Sequence, residues 1–236
     1  MGHQRGALSL SAAVAALALA IGTPATTTSA TGYVLFAASQ AGAEKADLFE
    51  EIYRRGQPLE ASLKTIRARF VETTTSSLLV KPLVAEGTLI VVRPSDILLA
   101  YEKPERRFLR LDANSLLLVW PDKGLRERKD IRAAQERVQR YFVNKDPSEL
   151  RRHFTIVAAE DASRRGTWRI EMTPTRKQIR QGLEKLELWV RQDTLLLSEM
   201  TMTFAGGDVK NMVFRDVVIN EPVSPDELDV AKLEGR

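Results

Sequence analysis

Glu86-Gly87-Thr88-Leu89-Ile90-Val91-Val92-Arg93-Pro94-Ser95-Asp96-Ile97-Leu98-Leu99-Ala100-Tyr101 holds the strongest strand signal of the chain. Two aliphatic runs, Gly87 to Arg93 and Ile97 to Tyr101, flank the turn-type residues Arg93-Pro94-Ser95-Asp96. The link is far too short for a crossover, so the two runs form an antiparallel hairpin. Neither run alternates. Leu89-Ile90-Val91-Val92 and Ile97-Leu98-Leu99-Ala100-Tyr101 are apolar at successive positions, so both faces of both strands are apolar. A meander with one wet face would alternate apolar and polar residues. These strands therefore need cover on two sides. Leu116-Leu117-Leu118-Val119-Trp120 and Leu195-Leu196-Leu197 make the same demand. Either the chain's own helices and loops cover everything, or a curved sheet closes around a cavity that a guest fills.

Working outward, strand signals recur at hairpin spacing. Ile66, Ala68 and Phe70 alternate with Arg67, Arg69 and Val71, and Thr73 to Ser77 continue in β-favouring residues. Arg107 to Leu111 and Leu116 to Trp120 follow Tyr101, separated by Glu102-Lys103-Pro104-Glu105 and Asp112-Ala113-Asn114. Beyond residue 150 the runs are Phe154 to Ala158, Thr167 to Thr173, Leu183 to Arg191, Leu196 to Phe204 and Asn211 to Ile219. Helical periodicity marks Glu44 to Arg55, ended by Gly56-Gln57-Pro58, with a second short helix within Leu59 to Ile66. It returns over Asp130 to Val143 and in a short helix opened by Asp146-Pro147. Pro225 to Leu228 reads as one turn, and the tail after Val230 as polar and frayed. The sum is an α+β, mainly β protein with about nine to eleven antiparallel strands: a strongly curved sheet, an incomplete barrel, closed by a helical lid around an apolar cavity.

The chain has no charge between Arg5 and Glu44, and Ala12 to Ile21 is an apolar run. A basic start, a short apolar stretch and small residues after it make residues 1–41 a secretory signal peptide, with cleavage between 30 and 43. The run falls short of the roughly 20 apolar residues of a membrane span. Residues 42–236 then form one domain, expected in the periplasm. No cysteine is present, which excludes disulfides, thiolate metal sites, cysteine nucleophiles and the lipid-bearing cysteine of a bacterial lipoprotein. The net charge of +4 is spread along the chain, without the basic, aromatic-interleaved patch of a nucleic-acid binder. Transient contact with a membrane surface is compatible with that charge.

Enzyme chemistry finds no foothold. His3 lies in the leader, and His153 follows Arg151-Arg152 as a solvated surface histidine. No nucleophile elbow, phosphate-binding glycine loop or zinc-binding helix motif occurs. Glu44, Asp47, Glu50 and Glu51 sit among basic residues on a helix surface, and Glu184 and Glu187 face basic neighbours along a strand. The sequence reads as that of a non-enzyme needing no cofactor and no metal.

Short fragments in a fixed order carry a family likeness. Phe70-Val71-Glu72 leads to Glu86-Gly87-Thr88-Leu89 and then to Val92-Arg93-Pro94-Ser95-Asp96-Ile97. Lys103-Pro104, Asp112 to Trp120, Met172-Thr173-Pro174, and Phe214, Asn220 and Pro222 follow. In this order they resemble the periplasmic outer-membrane lipoprotein carriers of the LolA type, over about residues 46 to 230. The resemblance implies an incomplete antiparallel barrel lidded by helices, whose apolar interior holds lipoprotein acyl chains. It implies an inner-membrane donor complex and an outer-membrane acceptor as partners. It also implies that Arg93, the arginine of the R-P motif, bonds to lid backbone in the closed form and lets go as cargo is taken up, with Ile97 taking part in transfer. Glu72 stands where the family carries glutamine, and Asp112-Ala113 lacks the family's glycine, which marks the chain as divergent.

The two-faced strands and the resemblance together nominate Leu89, Val91, Arg93, Ile97, Leu99, Tyr101, Leu118, Trp120 and Leu188 as ligand-binding residues. The ligand is the acyl part of a lipoprotein or lipid, which asks for dispersion and desolvation. A regulatory or scaffold module of the envelope is the alternative. It would have a filled core and an exposed apolar patch, where a carrier has a ligand-sized cavity.

Overall fold

The structure, a computed structural model, describes residues 47–141 and 146–235. Eleven antiparallel strands form one sheet in the order β6-β5-β4-β3-β2-β1-β11-β10-β9-β8-β7. They are β1 Thr65–Thr75, β2 Leu83–Val92, β3 Asp96–Lys103, β4 Arg107–Leu111, β5 Ser115–Trp120, β6 Leu125–Asp130, β7 Phe154–Glu160, β8 Thr167–Pro174, β9 Leu183–Arg191, β10 Leu197–Phe204 and β11 Val209–Ile219. Every neighbour is a hairpin partner except β1 and β11, which join the two ends of the domain. β6 and β7 remain edges, so the curved sheet does not close into a barrel. The mainly β incomplete barrel expected from the sequence is the observed fold.

One apolar cluster runs along the inner face of the curved sheet through β1–β5 and β7–β11. Leu99, Leu111, Met202 and Met212 are wholly buried in it. Helix α1 (Leu48–Ser62) covers this face with Phe49, Ile52 and Tyr53, and α3 (Pro147–Arg151) adds Leu150. Between them in sequence, α2 (Arg132–Tyr141) rests Tyr141 against the same cluster. A one-turn helix α4 (Lys177–Arg180) links β8 to β9.

The second apolar face of β2–β5 has its own cover. Ile90, Leu98, Phe108, Leu117 and Val119 pack against Leu228 of α5 (Pro225–Leu228) and Val230 of α6 (Val230–Glu234). The tail after Val230, expected to be polar and frayed, is instead helical to Glu234 with Leu233 packed half-buried on this cluster, and together with Leu228 and Val230 it answers half of the demand made by the two-faced strands. Arg110 ties it down by donating to the Leu228 carbonyl (2.7 Å), and Arg106 by donating to that of Leu233 (2.5 Å). On β8–β10 the outer face is polar instead. Arg169 pairs with Glu171 and Glu187, and Trp189 donates to Asp161 (2.6 Å) beneath Arg164.

Two further expectations change. The helix expected to stop at Gly56-Gln57-Pro58 runs on to Ser62, and β1 begins at Thr65, so no separate helix spans Leu59 to Ile66. A proline inside a helix costs about 3 kcal/mol. Here Arg54, whose carbonyl loses its donor, and Pro58 are exposed to water, while the apolar stripe through Leu59 stays in contact with the sheet. Strand β6 was not expected, because Leu-Arg-Glu-Arg-Lys-Asp has no apolar alternation and is exposed throughout. Its charges suit an edge that must not recruit another strand. Ala46, Phe142 and Val143, counted in the expected helices, lie outside the described residues.

Candidate functional site

The site is the seam between α1 and the inner face. Strand β2 ends opposite the start of β1, with Thr65 paired to Val92. Arg93 continues one step further, donating its backbone N–H to the Lys64 carbonyl (2.9 Å). That places its side chain at the C-terminus of α1. There Nη1 donates to the Glu60 carbonyl (2.8 Å), and Nη2 lies 3.5 Å from the Glu60 carboxylate. A guanidinium suits the unpaired carbonyls and negative dipole end of a helix. Glu60 is buried, and the guanidinium faces its carboxylate. At the other end of α1, Asp47 caps the helix by accepting from Phe49 N–H (3.0 Å) and pairs with Arg151. In mid-helix, Arg55 donates to the Gln192 carbonyl (3.2 Å) and stacks over Trp168.

Under α1 lies an apolar cavity of about 70 Å³. Phe49, Ile52 and Leu59 form its roof, Leu150 one wall, and Ile170 and Leu188 the floor. That volume is less than half of the roughly 150 Å³ of a cavity that takes up benzene. Among the described residues this cavity is thus smaller than the ligand-sized one expected. Curvature and the helices consume the apolar surface that was expected to need a guest.

Of the residues nominated from sequence, Leu188 alone borders the cavity. Val91, Ile97 and Leu99 are buried in the inner cluster, and Leu89 and Leu118 pack against it half-buried. Trp120 falls in step with Leu116 and Leu118 along β5 but stays half-buried outside both apolar clusters. Tyr101 faces inward as expected, yet serves a polar group. Its hydroxyl donates to the Glu72 carboxylate (2.8 Å), which also accepts from Lys210 Nζ (3.1 Å). Arg107 approaches the same carboxylate (3.6 Å) and stacks on the Tyr101 ring. Burial pushes the Tyr101 hydroxyl pKa up, with the Glu72 charge adding to it, and burial pulls that of the Lys210 ammonium down. The alternation of Ile66, Ala68 and Phe70, carried one step further, is the signal that could have placed this carboxylate on the apolar face. Nothing local pointed to Lys210, which arrives from a strand 138 residues away. His153, expected in solvent, is half-buried edge-on to Tyr141.

Among the described residues no three His, Cys, Asp or Glu side chains converge on a metal-sized site, and no helix is long and apolar enough to cross a membrane. The geometry is that of a binding fold: an open, curved sheet with a lid helix pinned over its apolar face. Residues 61–229 match the family described as outer membrane lipoprotein carrier protein LolA, and the chain belongs to that family. Comparison with curated proteins gives no match. Solved structures are similar to this chain at low identity. The Mycobacterium tuberculosis lipoprotein LppX is 12% identical, with 75% of this chain and 97% of that one covered and a TM-score of 0.44. A LolA superfamily protein from Nitrosomonas europaea is 9% identical, with 74% and 94% covered and a TM-score of 0.36. The Pseudomonas aeruginosa MucA/MucB complex is 13% identical, with 76% and 60% covered and a TM-score of 0.44.

Proposed function

We propose that this chain is an exported periplasmic carrier that takes the acyl chains of lipoproteins or lipids between α1 and the inner face of the sheet. It passes them towards the outer membrane. The observation that carries the reading is the seam itself: an apolar helix face over an apolar cavity, fastened at its end by Arg93 on the Glu60 carbonyl. The 70 Å³ void cannot take an acyl chain while α1 is down, so uptake requires the helix to lift. A polar fastening on an apolar seam suits that motion, because the freed guanidinium and carbonyls go to water while cargo covers the apolar surface. Family membership supports the reading. Export follows from the leader within residues 1–41, and the N-terminus of the periplasmic protein should begin after a cleavage between 30 and 43. The reading assigns no catalytic residue.

The test is lipid analysis by mass spectrometry of protein purified from its own periplasm, alongside Arg93→Leu, followed by titration of both delipidated proteins with a fluorescent acyl probe. The carrier reading expects copurified acyl chains and faster probe uptake by the variant. Folded wild type that holds no lipid and binds no probe ends it. A partner-binding scaffold is the second reading, favoured by the nearly filled interior and by the exposure of Leu78 (91%) and Val80 (107%) on the β1–β2 hairpin. It expects no lipid in either protein.

A further inference from the structure

The connection between β1 and β2, Ser76-Ser77-Leu78-Leu79-Val80-Lys81-Pro82, is apolar where it is most exposed. Leu78 N–H donates to the Ser76 hydroxyl (3.3 Å) and Leu79 N–H to the Ser76 carbonyl (3.1 Å). This local turn holds Leu78, Leu79 and Val80 at the tip. Leu83 and Val84, at the start of β2, extend the patch at 44% and 49% exposure. Turns of this length are ordinarily built from Gly, Asn, Asp and Ser, because an exposed apolar tip gains nothing in water. A contiguous exposed patch asks for an occupant.

The antiparallel order identifies it. Connections β1–β2, β3–β4, β5–β6, β8–β9 and β10–β11 all fall on one rim of the sheet, and β2–β3, β4–β5, β7–β8 and β9–β10 on the other, while the long β6–β7 connection passes from the second rim to the first. The rim with the apolar tip carries six basic and three acidic side chains in these connections; the opposite rim carries three of each. On the first rim Arg106 and Lys123 are engaged, with the Leu233 carbonyl and with Glu105. Lys81, Arg176, Lys177 and Arg180 are exposed and have no ion pair among the described residues. A convex apolar tip on a rim with surplus positive charge fits a deformable apolar phase under anionic headgroups. We infer that this rim docks on an anionic phospholipid surface, with Leu78, Leu79 and Val80 inserted below the headgroups and Lys81, Arg176, Lys177 and Arg180 at their level. Docking needs no acyl cargo, so it stands or falls separately from the carrier reading.

The experiment is cosedimentation of the protein, purified from its own cells, with phosphatidylglycerol/phosphatidylethanolamine vesicles and with phosphatidylcholine vesicles. Two variants accompany it: Leu78→Ser/Leu79→Ser/Val80→Ser, and Arg176→Glu/Lys177→Glu/Arg180→Glu. All six side chains are exposed, so both variants should keep the wild-type thermal midpoint. Wild type is expected to sediment with the anionic vesicles, the apolar variant at least about tenfold less. The charge variant should lose about fivefold or more per reversed residue and approach the phosphatidylcholine level. Because the chain has no cysteine, Leu79→Cys offers a single labelling point for a polarity-sensitive dye. Its emission should shift to the blue on anionic vesicles and on nothing else. The inference is overturned if wild type ignores anionic vesicles, if the apolar variant binds them equally well, or if the dye shifts with protein concentration alone, which would make a second copy the occupant.

Discussion

Replacing Arg93 with leucine should loosen α1 without changing what the rest of the sheet contains. The lost interactions can be counted. The bond from Nη1 to the Glu60 carbonyl, at 2.8 Å, is charge-assisted and contributes about 1.5–3 kcal/mol. The ion pair with the Glu60 carboxylate, at 3.5 Å, adds at most about 1 kcal/mol, because the arginine side chain is 34% exposed and its charge is screened by water. Together these give about 2 kcal/mol at the low end, a factor of about 30 in the population with α1 lifted. The latch is broken both in the lifted form and in the unfolded chain, so local opening and global unfolding become easier by the same amount. The lid is therefore recognised by a difference of another kind: the free energy that opens the amides of α1 to hydrogen exchange must lie below that of core amides such as Leu99 and Leu111. Native-state hydrogen exchange followed by mass spectrometry reads both quantities. The expected result is a separate, lower opening free energy for residues 50–62 in wild type, reduced by about 2 kcal/mol in the variant. If α1 exchanges only with the core strands in both proteins, the helix is a structural member and the reasoning fails. A helix that opens separately but is indifferent to Arg93 would refute the latch.

Other perturbations test the frame around the seam. Gly87 sits at a bulge between β2 and β3, where an added Cβ would lie 2.2 Å from the Ala100 carbonyl oxygen and 2.9 Å from the Phe70 ring. Gly87→Ala should cost about 3 kcal/mol or more in urea unfolding, since backbone has to move. Glu72→Leu strands the buried Lys210 ammonium and should cost about 3–5 kcal/mol at neutral pH, most of it recovered in Glu72→Leu/Lys210→Met. Burial already holds the Lys210 pKa below its ordinary 10.5, so over that window the unfolded chain binds more protons. The stability deficit of the single variant should accordingly shrink as pH rises towards 10.5, as unfolding at stepped pH would record. Leu228→Ala uncovers the outer face of β2–β5 and should cost about 2–5 kcal/mol by denaturant midpoint; a loss below about 0.5 kcal/mol would make α5 an ornament. The Ser163 hydroxyl and the Trp189 indole hold the Asp161 pKa down to about 2, below its ordinary 3.8. Its contribution is complete above about pH 4 and lost as pH falls through about 2, so the thermal-midpoint gap between wild type and Asp161→Asn should close across that range.

Local pattern was enough to find most of this architecture. Hairpin-length links, the turn residues around Pro94 and Pro104 and the doubly apolar runs placed ten of the eleven strands and required two-sided cover. Strand β6 escaped because a charged edge strand owes its place to hydrogen bonds with β5, and no hydrophobic period records those. Val91, Ile97, Leu99 and Leu188 were nominated from apolar strand runs and from kinship with a known carrier family, but the two-faced runs did not tell which face each side chain takes. Nor did they tell what covers each face. The ends of the chain supply α1 on one side and α5–α6 on the other, and a periodicity reports how much apolar surface a strand has without reporting its neighbours. The pairing of Glu72 with Lys210 and the seating of Arg93 on the end of α1 likewise arise only when β1 has joined β11 and β2. Sequence alone thus determined strand character, hairpin order and surface chemistry, because these are encoded within a few residues. Tertiary structure decided the lid, the size of the cavity and the buried ion pair, because each depends on groups that are distant in the chain and meet only when the sheet curves.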